Sequence, residues 1–183
     1  MPLRGRTQFD KIGNTYFVTT TVMNFDRIFS LGRAYNLILM ESMKYLLKRH
    51  KAQLYAYVIM PNHFHMVSYM PQGESIVDFM RNFKRHTSTE IRKLAEAEKR
   101  FYLLERFRSN AEYAKMQSYK VWIDRFDDLI ITTQRTVAIK VNYIHFNPVK
   151  AGLAENPEEW EFSSARNYYL NDHSLIRTDW SID

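Results

Sequence analysis

His63 and His65 stand one residue apart in Met60-Pro61-Asn62-His63-Phe64-His65-Met66-Val67, inside an otherwise apolar, strand-like run. In a strand successive side chains point to opposite faces, so the two imidazoles share a face and can converge on one metal ion or one phosphate, while Phe64 points into the core. The competing reading is a pair of hydrogen-bonded core histidines, the commoner fate of a half-buried imidazole. Tyr143 and Asn147 form a second pair, four residues and one helical turn apart, on one face of a helical segment. That face lies about 100° around the helix from the apolar stripe Val137, Val141 and Ile144, at the rim of the buried surface, where a tyrosine can meet the histidine strand. Against this, one tyrosine among twelve can be simple edge packing, and an asparagine before a proline can simply end a helix.

Together these four side chains would support phosphoryl transfer to a protein nucleophile. A divalent cation held by two imidazoles and an amide oxygen polarises a phosphate, and a tyrosine attacks it in line and becomes covalently attached. An ordinary phenol is mostly protonated at neutral pH, so a neighbouring cation or base must favour the phenolate. Two nitrogens and one oxygen with open positions left over fit Mg²⁺ or Mn²⁺ in turnover rather than a closed structural zinc site.

The elements needed to position these groups are legible. Asn14 to Val22 is β-branched and aromatic and reads as a strand. Tyr35, Leu39, Met43 and Leu46 recur at helical spacing within Leu31 to His50. Gln53 to Met60 and Phe64 to Met70 read as a hairpin around Pro61-Asn62. Glu74 to Glu98 is a second helix with Ile76, Phe79, Met80, Phe83, Thr87, Ile91 and Leu94 on one stripe. Lys99 to Tyr119 adds a helix or an ordered insertion. Val121 to Phe126 and Leu129 to Thr132 read as strand, turn and strand. A third helix runs from about Thr133 to Phe146 and is expected to stop near Asn147, because Pro148 disfavours helical geometry before it. A single domain over residues 1–183 is expected, its core spanning about 10–170 and an irregular C-terminal wrap, with Pro157, Trp160 and Trp180, about 148–183. The order β, α, β, β, α, β, α predicts an α+β, ferredoxin-like or RRM-like sandwich: a central antiparallel sheet with helices packed on one face and the other free for a site.

With 45% hydrophobic residues and no cysteine, the chain can bury a core but offers no disulfide, zinc-thiolate site or thiol nucleophile. No apolar run reaches the length of a membrane span and the first residues lack a signal-peptide core, so a cytoplasmic location, in contact with the nucleoid, is expected. The net charge is +6, and between Arg81 and Arg125 twelve Lys and Arg stand against six Asp and Glu. Such a segment suits a phosphate backbone or is a solvated helical face. Arg81, Lys84, Arg85, Arg92 and Arg125, with Lys140, His145 and Lys150 from the third helix, are the candidate DNA contacts; His145, one residue off the Tyr143 face, is alternatively structural.

Pro61-Asn62-His63-Phe64-His65 followed by Tyr143-Ile144-His145-Phe146-Asn147-Pro148-Val149-Lys150-Ala151-Gly152 resembles the HUH motif and nucleophile helix of the single-tyrosine, insertion-sequence-type transposases, and in particular their REP-associated branch. The likeness extends to Tyr16-Phe17-Val18-Thr19, to Val121-Trp122 with Arg125-Phe126, and to Trp160 with Ser163-Ser164-Ala165. The resemblance implies an HUH endonuclease fold and a metal-dependent endonuclease and strand transferase acting on single-stranded, stem-loop DNA through a 5′-phosphotyrosine. By that resemblance Tyr143 is the nucleophile and His63, His65 and Asn147 the metal ligands, with Mg²⁺ or Mn²⁺ as cofactor. Asn147, where insertion-sequence relatives usually carry Gln, points to the branch that acts on repeated genomic palindromes. The partner implied is hairpin DNA, the protein being a monomer or a homodimer. Two alternatives share these residues: a catalytically inactive nucleic-acid-binding protein of the same fold, and a metal-dependent phosphodiesterase using water. The stretch from Lys99 to Tyr119 matches no family motif.

Overall fold

The computed structural model describes residues 13–112 and 118–179. Besides three short 3-10 turns, nine strands and α-helices follow in order among the described residues: β1 (Asn14–Thr21), α1 (Arg33–Arg49), β2 (Gln53–Met60), β3 (His63–Met70), α2 (Ile76–Ala97), α3 (Phe101–Ala111), β4 (Asp127–Ile131), α4 (Gln134–Lys150) and the short α5 (Ala165–Tyr169). The four strands form one antiparallel sheet in the order β2-β3-β1-β4, with the expected hairpin at Pro61-Asn62. No helix among the described residues is long and apolar enough to cross a membrane.

Strict alternation in β1 sends Tyr16 and Val18 into one core with Phe64 and Met66 of β3, under α1, α2 and α3. Phe64 stacks on Phe83 of α2 with ring centroids 5.3 Å apart. Ser75 caps α2 by accepting from the Asp78 N–H, and Thr133 caps α4 by accepting from the Thr136 N–H.

The opposite face carries a second, smaller core of Ala56, Val58, Met60, Val67 and Ile131, covered by Val137, Val141 and Ile144 of α4. The expectation of helices on one face is therefore corrected: α1 and α2 cover one face and α4 lies on the other. The reason is visible in β2, which reads as a continuous apolar run because both of its sides are buried. A bulge between Leu54 and Ala56 shifts its register against β3.

Two further expectations are corrected. Helix α4 does not stop at Asn147 but runs through Pro148 to Lys150. Its end is set by Gly152, whose φ of +67° closes a Schellman cap: the Gly152 N–H bonds the Val149 carbonyl at 2.9 Å and the Leu153 N–H bonds the Pro148 carbonyl at 2.9 Å. Pro148 sits in the last turn, where the proline forfeits a single intrahelical bond. Residues 121–126 do not form a strand; Trp122 makes one isolated bridge to Val22. Its indole instead enters the core and donates to Thr87 Oγ1 at 3.0 Å. The next three carbonyls, of Ile123, Asp124 and Arg125, turn toward the Lys84 ammonium at 2.5, 3.0 and 3.2 Å, which removes them from any ladder.

Of the stretch from Lys99 to Tyr119, residues 113–117 lie outside the described residues, as do 10–12 and Trp180; the described remainder supplies α3. The C-terminal segment covers the outer edge of β2. The Ile59 N–H bonds the Phe162 carbonyl at 2.9 Å, the Ser164 N–H bonds the Tyr57 carbonyl at 2.9 Å and the Asp179 N–H bonds the Leu54 carbonyl at 2.7 Å. The Trp160 indole donates to the Ile59 carbonyl at 2.9 Å. These bonds satisfy an edge that would otherwise invite pairing with another chain.

Candidate active site

The antiparallel register sets Thr19 opposite His65 and Thr21 opposite His63, so β1 supplies the floor beside both imidazoles. The His63 and His65 ring centroids are 4.8 Å apart. Asn62 fixes the first ring. Its Nδ2 donates to the Phe25 carbonyl at 3.2 Å, which orients the amide so that Oδ1 faces His63 Nδ1 at 2.7 Å. An amide oxygen only accepts, so Nδ1 carries the proton and Nε2 of the neutral ring keeps its lone pair. His65 Nδ1 lies 2.7 Å from Thr19 Oγ1.

Burial keeps both rings neutral. It lowers the His63 pKa and pushes that of His65 down to about 3, with the neighbouring His63 and the Lys140 ammonium acting in the same direction. Neutral imidazoles are what a metal ion needs.

Helix α4 brings Tyr143 over this pair from its own chain. The phenol ring meets His65 edge-on with centroids 5.5 Å apart and Phe17 edge-on at 5.8 Å, while Phe17 lies nearly parallel to His65 at 5.5 Å. Lys140, Tyr143, Asn147 and Lys150 succeed one another at three-, four- and three-residue steps and share one helix face. The Lys140 ammonium sits 4.5 Å from the Phe17 ring centre and 5.8 Å from that of Tyr143, and Lys150 lies 5.8 Å from Tyr143 on its other side. Tyr143 is 38% exposed, enough to be reached by a substrate. Asn147 is half-buried one turn further on.

The structure thus brings together His63, His65, Tyr143, Lys140 and Lys150, with Asn147 on the same helix face. It does not bring the other basic candidates there. Arg81, Lys84, Arg85 and Arg92 line a groove of about 640 Å³ beside Trp122, on α2 and so across the sheet from Tyr143. Within it Arg81 pairs with Asp78 and Arg92 with Glu96, and Arg85 donates to Asn82. Lys84 is half-buried, with burial lowering its pKa to about 8, and it closes the 123–125 loop. Arg125 is exposed in that loop. His145 is corrected as a DNA contact: it is 2% exposed, its Nε2 is 3.0 Å from Ser164 Oγ, and its ring packs on Tyr168.

Sequence reasoning missed Phe17, Thr19 and Asn62 as site residues. Strand alternation does place Phe17 and Thr19 opposite Tyr16 and Val18, but which of them meets a histidine depends on the β1–β3 register, a pairing 46 residues apart.

With this geometry in view, comparison with known proteins is decisive: the family model described as IS200-like transposase matches residues 25–119, over half of the chain. The chain belongs to the IS200-like transposase family. The matched residues include the HUH pair and end before Tyr143. Two relatives extend the likeness across α4. The REP-associated tyrosine transposase of Escherichia coli K12 is 27% identical over 176 residues, covering 92% of this chain and 90% of its own length. A Haemophilus influenzae protein with the provisional name REP-associated tyrosine transposase is 26% identical over 164 residues, covering 87% of this chain and 83% of its own. Among solved structures, a REP-associated tyrosine transposase bound to a REP hairpin aligns with a TM-score of 0.62 at 21% identity, covering 93% of this chain and 86% of that one. That match establishes the shared α+β architecture of this IS200-like chain.

Proposed function

We propose that this IS200-like transposase is a metal-dependent single-stranded DNA endonuclease and strand transferase that forms a 5′-phosphotyrosine at Tyr143 on hairpin DNA. The observation that carries the reading is the placement of the Tyr143 ring 5.5 Å from His65, flanked by two ammonium groups. The hairpin substrate follows from the relatives, one of which is bound to a REP hairpin.

The donor set fits a divalent cation. Both imidazoles are neutral and have oxygen partners at Nδ1, which leaves each Nε2 to face a ligand. Among the described residues no group of three or more His, Cys, Asp or Glu is placed to hold a metal; Asn147, one turn from Tyr143 on the same helix face, offers an amide oxygen as the third donor. Mg²⁺ or Mn²⁺ held by His63, His65 and Asn147 would, when bound, polarise the scissile phosphate and offset charge developing on it.

Lys140 and Lys150 hold the phosphate oxygens against the Tyr143 face. The phenol oxygen attacks phosphorus in line and its proton passes to solvent. The P–O3′ bond breaks, the 3′ oxygen leaves with the electron pair and takes up a proton, and the 5′ phosphate stays on Tyr143 as a diester. Attack of a 3′-hydroxyl on that diester reverses the step and joins strands. A hairpin oligonucleotide labelled at each end tests this: with Mn²⁺ or Mg²⁺ the products are the 5′-side fragment ending in a free 3′-hydroxyl and the 3′-side fragment linked to the protein through its 5′ phosphate. Two free fragments would mean hydrolysis by water, and binding without cleavage would mean an inactive binding protein.

A further inference from the structure

Among the described residues, the three most exposed aromatic rings lie outside the candidate active site. Phe25 is 67% exposed, Phe101 70% and Tyr102 73%. Phe25 and its neighbour Asn24 both have a φ of 57°, a region that bulky residues avoid and occupy at a cost. Burial of the Phe25 ring does not offset that cost.

The rings lie along one connected track. Asn62, which holds His63, also holds the Phe25 carbonyl. The next residue, Asp26, accepts from Arg106 Nε and Nη2 at 2.7 and 2.6 Å, and the same guanidinium lies 5.8 Å over the Tyr102 ring. Phe101 follows at the start of α3. A hollow of about 580 Å³ runs beside Phe101 and Tyr102; of the four cations on its walls Arg106 pairs with Asp26 and Arg100 with Glu98, which leaves Arg27 and Lys99 as the excess positive charge. Arg27 and Lys99 are exposed. Exposed rings interleaved with cations are the pattern that binds unpaired nucleic acid: bases stack on the rings and phosphates meet the cations.

We infer that the ridge Phe25–Tyr102–Phe101 is a stacking track for the unpaired nucleotides that flank the hairpin, running from the His63 side of the active site onto α3. The inference rests on the DNA-processing reading but concerns binding alone. Charge selects this occupant over an apolar protein segment, because Arg27 and Lys99 stand exposed beside the rings.

The test uses Tyr143→Phe protein in EDTA, so that no cleavage intervenes, and a DNA hairpin with or without a thymine tail of about eight nucleotides at either end, carrying one 2-aminopurine. Fluorescence anisotropy gives the affinities, and 2-aminopurine quenching reports stacking. The tail strengthens binding at least tenfold and is quenched; Phe101→Ala with Tyr102→Ala, and separately Phe25→Ala, reduce the tail's contribution at least fivefold and relieve quenching. Affinity for the blunt hairpin is unchanged, and Phe101→Trp with Tyr102→Trp retains the effect. An unchanged tail contribution in the alanine variants overturns the inference. So does a dimer in sedimentation velocity that the alanine substitutions dissolve, since the rings would then serve a second copy. Adduct formation with no ring-dependent tail binding sinks this inference alone, whereas ring-dependent tail binding without any adduct sinks only the proposed reaction.

Discussion

Asn62 and Thr19 decide which nitrogen of each histidine faces outward, and so they should matter for metal binding without touching the metal. Each Nδ1 has an oxygen at 2.7 Å, and partners of this kind are typically worth about 10- to 100-fold in metal affinity. Thr19→Val and Asn62→Ala are expected to weaken Mn²⁺ binding within that range by isothermal titration calorimetry, while Thr19→Ser, which keeps the hydroxyl, stays near wild type. Equal loss in Thr19→Ser and Thr19→Val would show that packing rather than the hydroxyl is what counts. That His63 and His65 share a strand face, and Tyr143 and Asn147 a helix face, was legible from spacing, because strand and helix periods are local. Phe17, Thr19 and Asn62 were not, since their roles depend on which strand lies alongside and on a loop folding back to Phe25. His145 illustrates the converse: of the two roles open to it, DNA contact and structure, the roughly 200° that separates it from Tyr143 around the helix selects the second, burying it against Ser164.

At the scale of the element, α4 carries the face that bears Tyr143, and its C-terminus is where reading from sequence failed. Proline was weighed as a helix stop, but the cap that ends α4 needs only a residue able to take a positive φ, and Gly152 supplies it one turn later. Asn147 is thereby kept inside the helix, in register with Tyr143, rather than released as a cap. A Cβ at Gly152 would meet nothing within 4 Å, so the cost of Gly152→Ala is that of the backbone conformation alone. Urea unfolding should show a loss of about 1 kcal/mol, and a neutral result would mean that the cap does not hold the helix end. The loop at 121–126 failed for a different reason: its residue types suit a strand, but the Lys84 ammonium collects its carbonyls. Lys84→Met is expected to loosen that loop, seen as faster amide exchange at residues 123–125, with little effect on the Tyr143 side of the sheet.

For the whole molecule, the strand order, the hairpin and the two long helices were readable because each has a strong period of its own. The second face of the sheet was not, because a strand buried on both sides carries no alternation to interpret. Closing that face with α4 from the same chain means that one polypeptide holds both the histidines and the tyrosine. Mixing His65→Ala with Tyr143→Phe protein is accordingly expected to leave cleavage absent, whereas recovery on mixing would show exchange of helices between chains. The closed face also makes the fold acid-sensitive. Burial depresses the His145 pKa to about 4 from an ordinary 6.5. The unfolded chain therefore binds the extra proton between these values, and the stabilisation, present in full above pH 6.5, is lost as pH falls toward 4, by at most about 3 kcal/mol. The melting temperature should drop across that window, and because buried His65 acts in the same direction, His145→Gln should lessen the drop without abolishing it; an equal drop in both would assign the acid sensitivity to other groups.

The central claim is that Tyr143 is the atom-donating nucleophile, and locating the covalent bond tests it most directly. After reaction of the wild-type chain with a hairpin oligonucleotide and Mn²⁺, then nuclease and protease digestion, mass spectrometry should find a nucleotide phosphate on the peptide containing Tyr143. Tyr143→Phe should give neither adduct nor cleavage. A phosphotyrosine at any other position, or an undiminished adduct in Tyr143→Phe, would contradict the account.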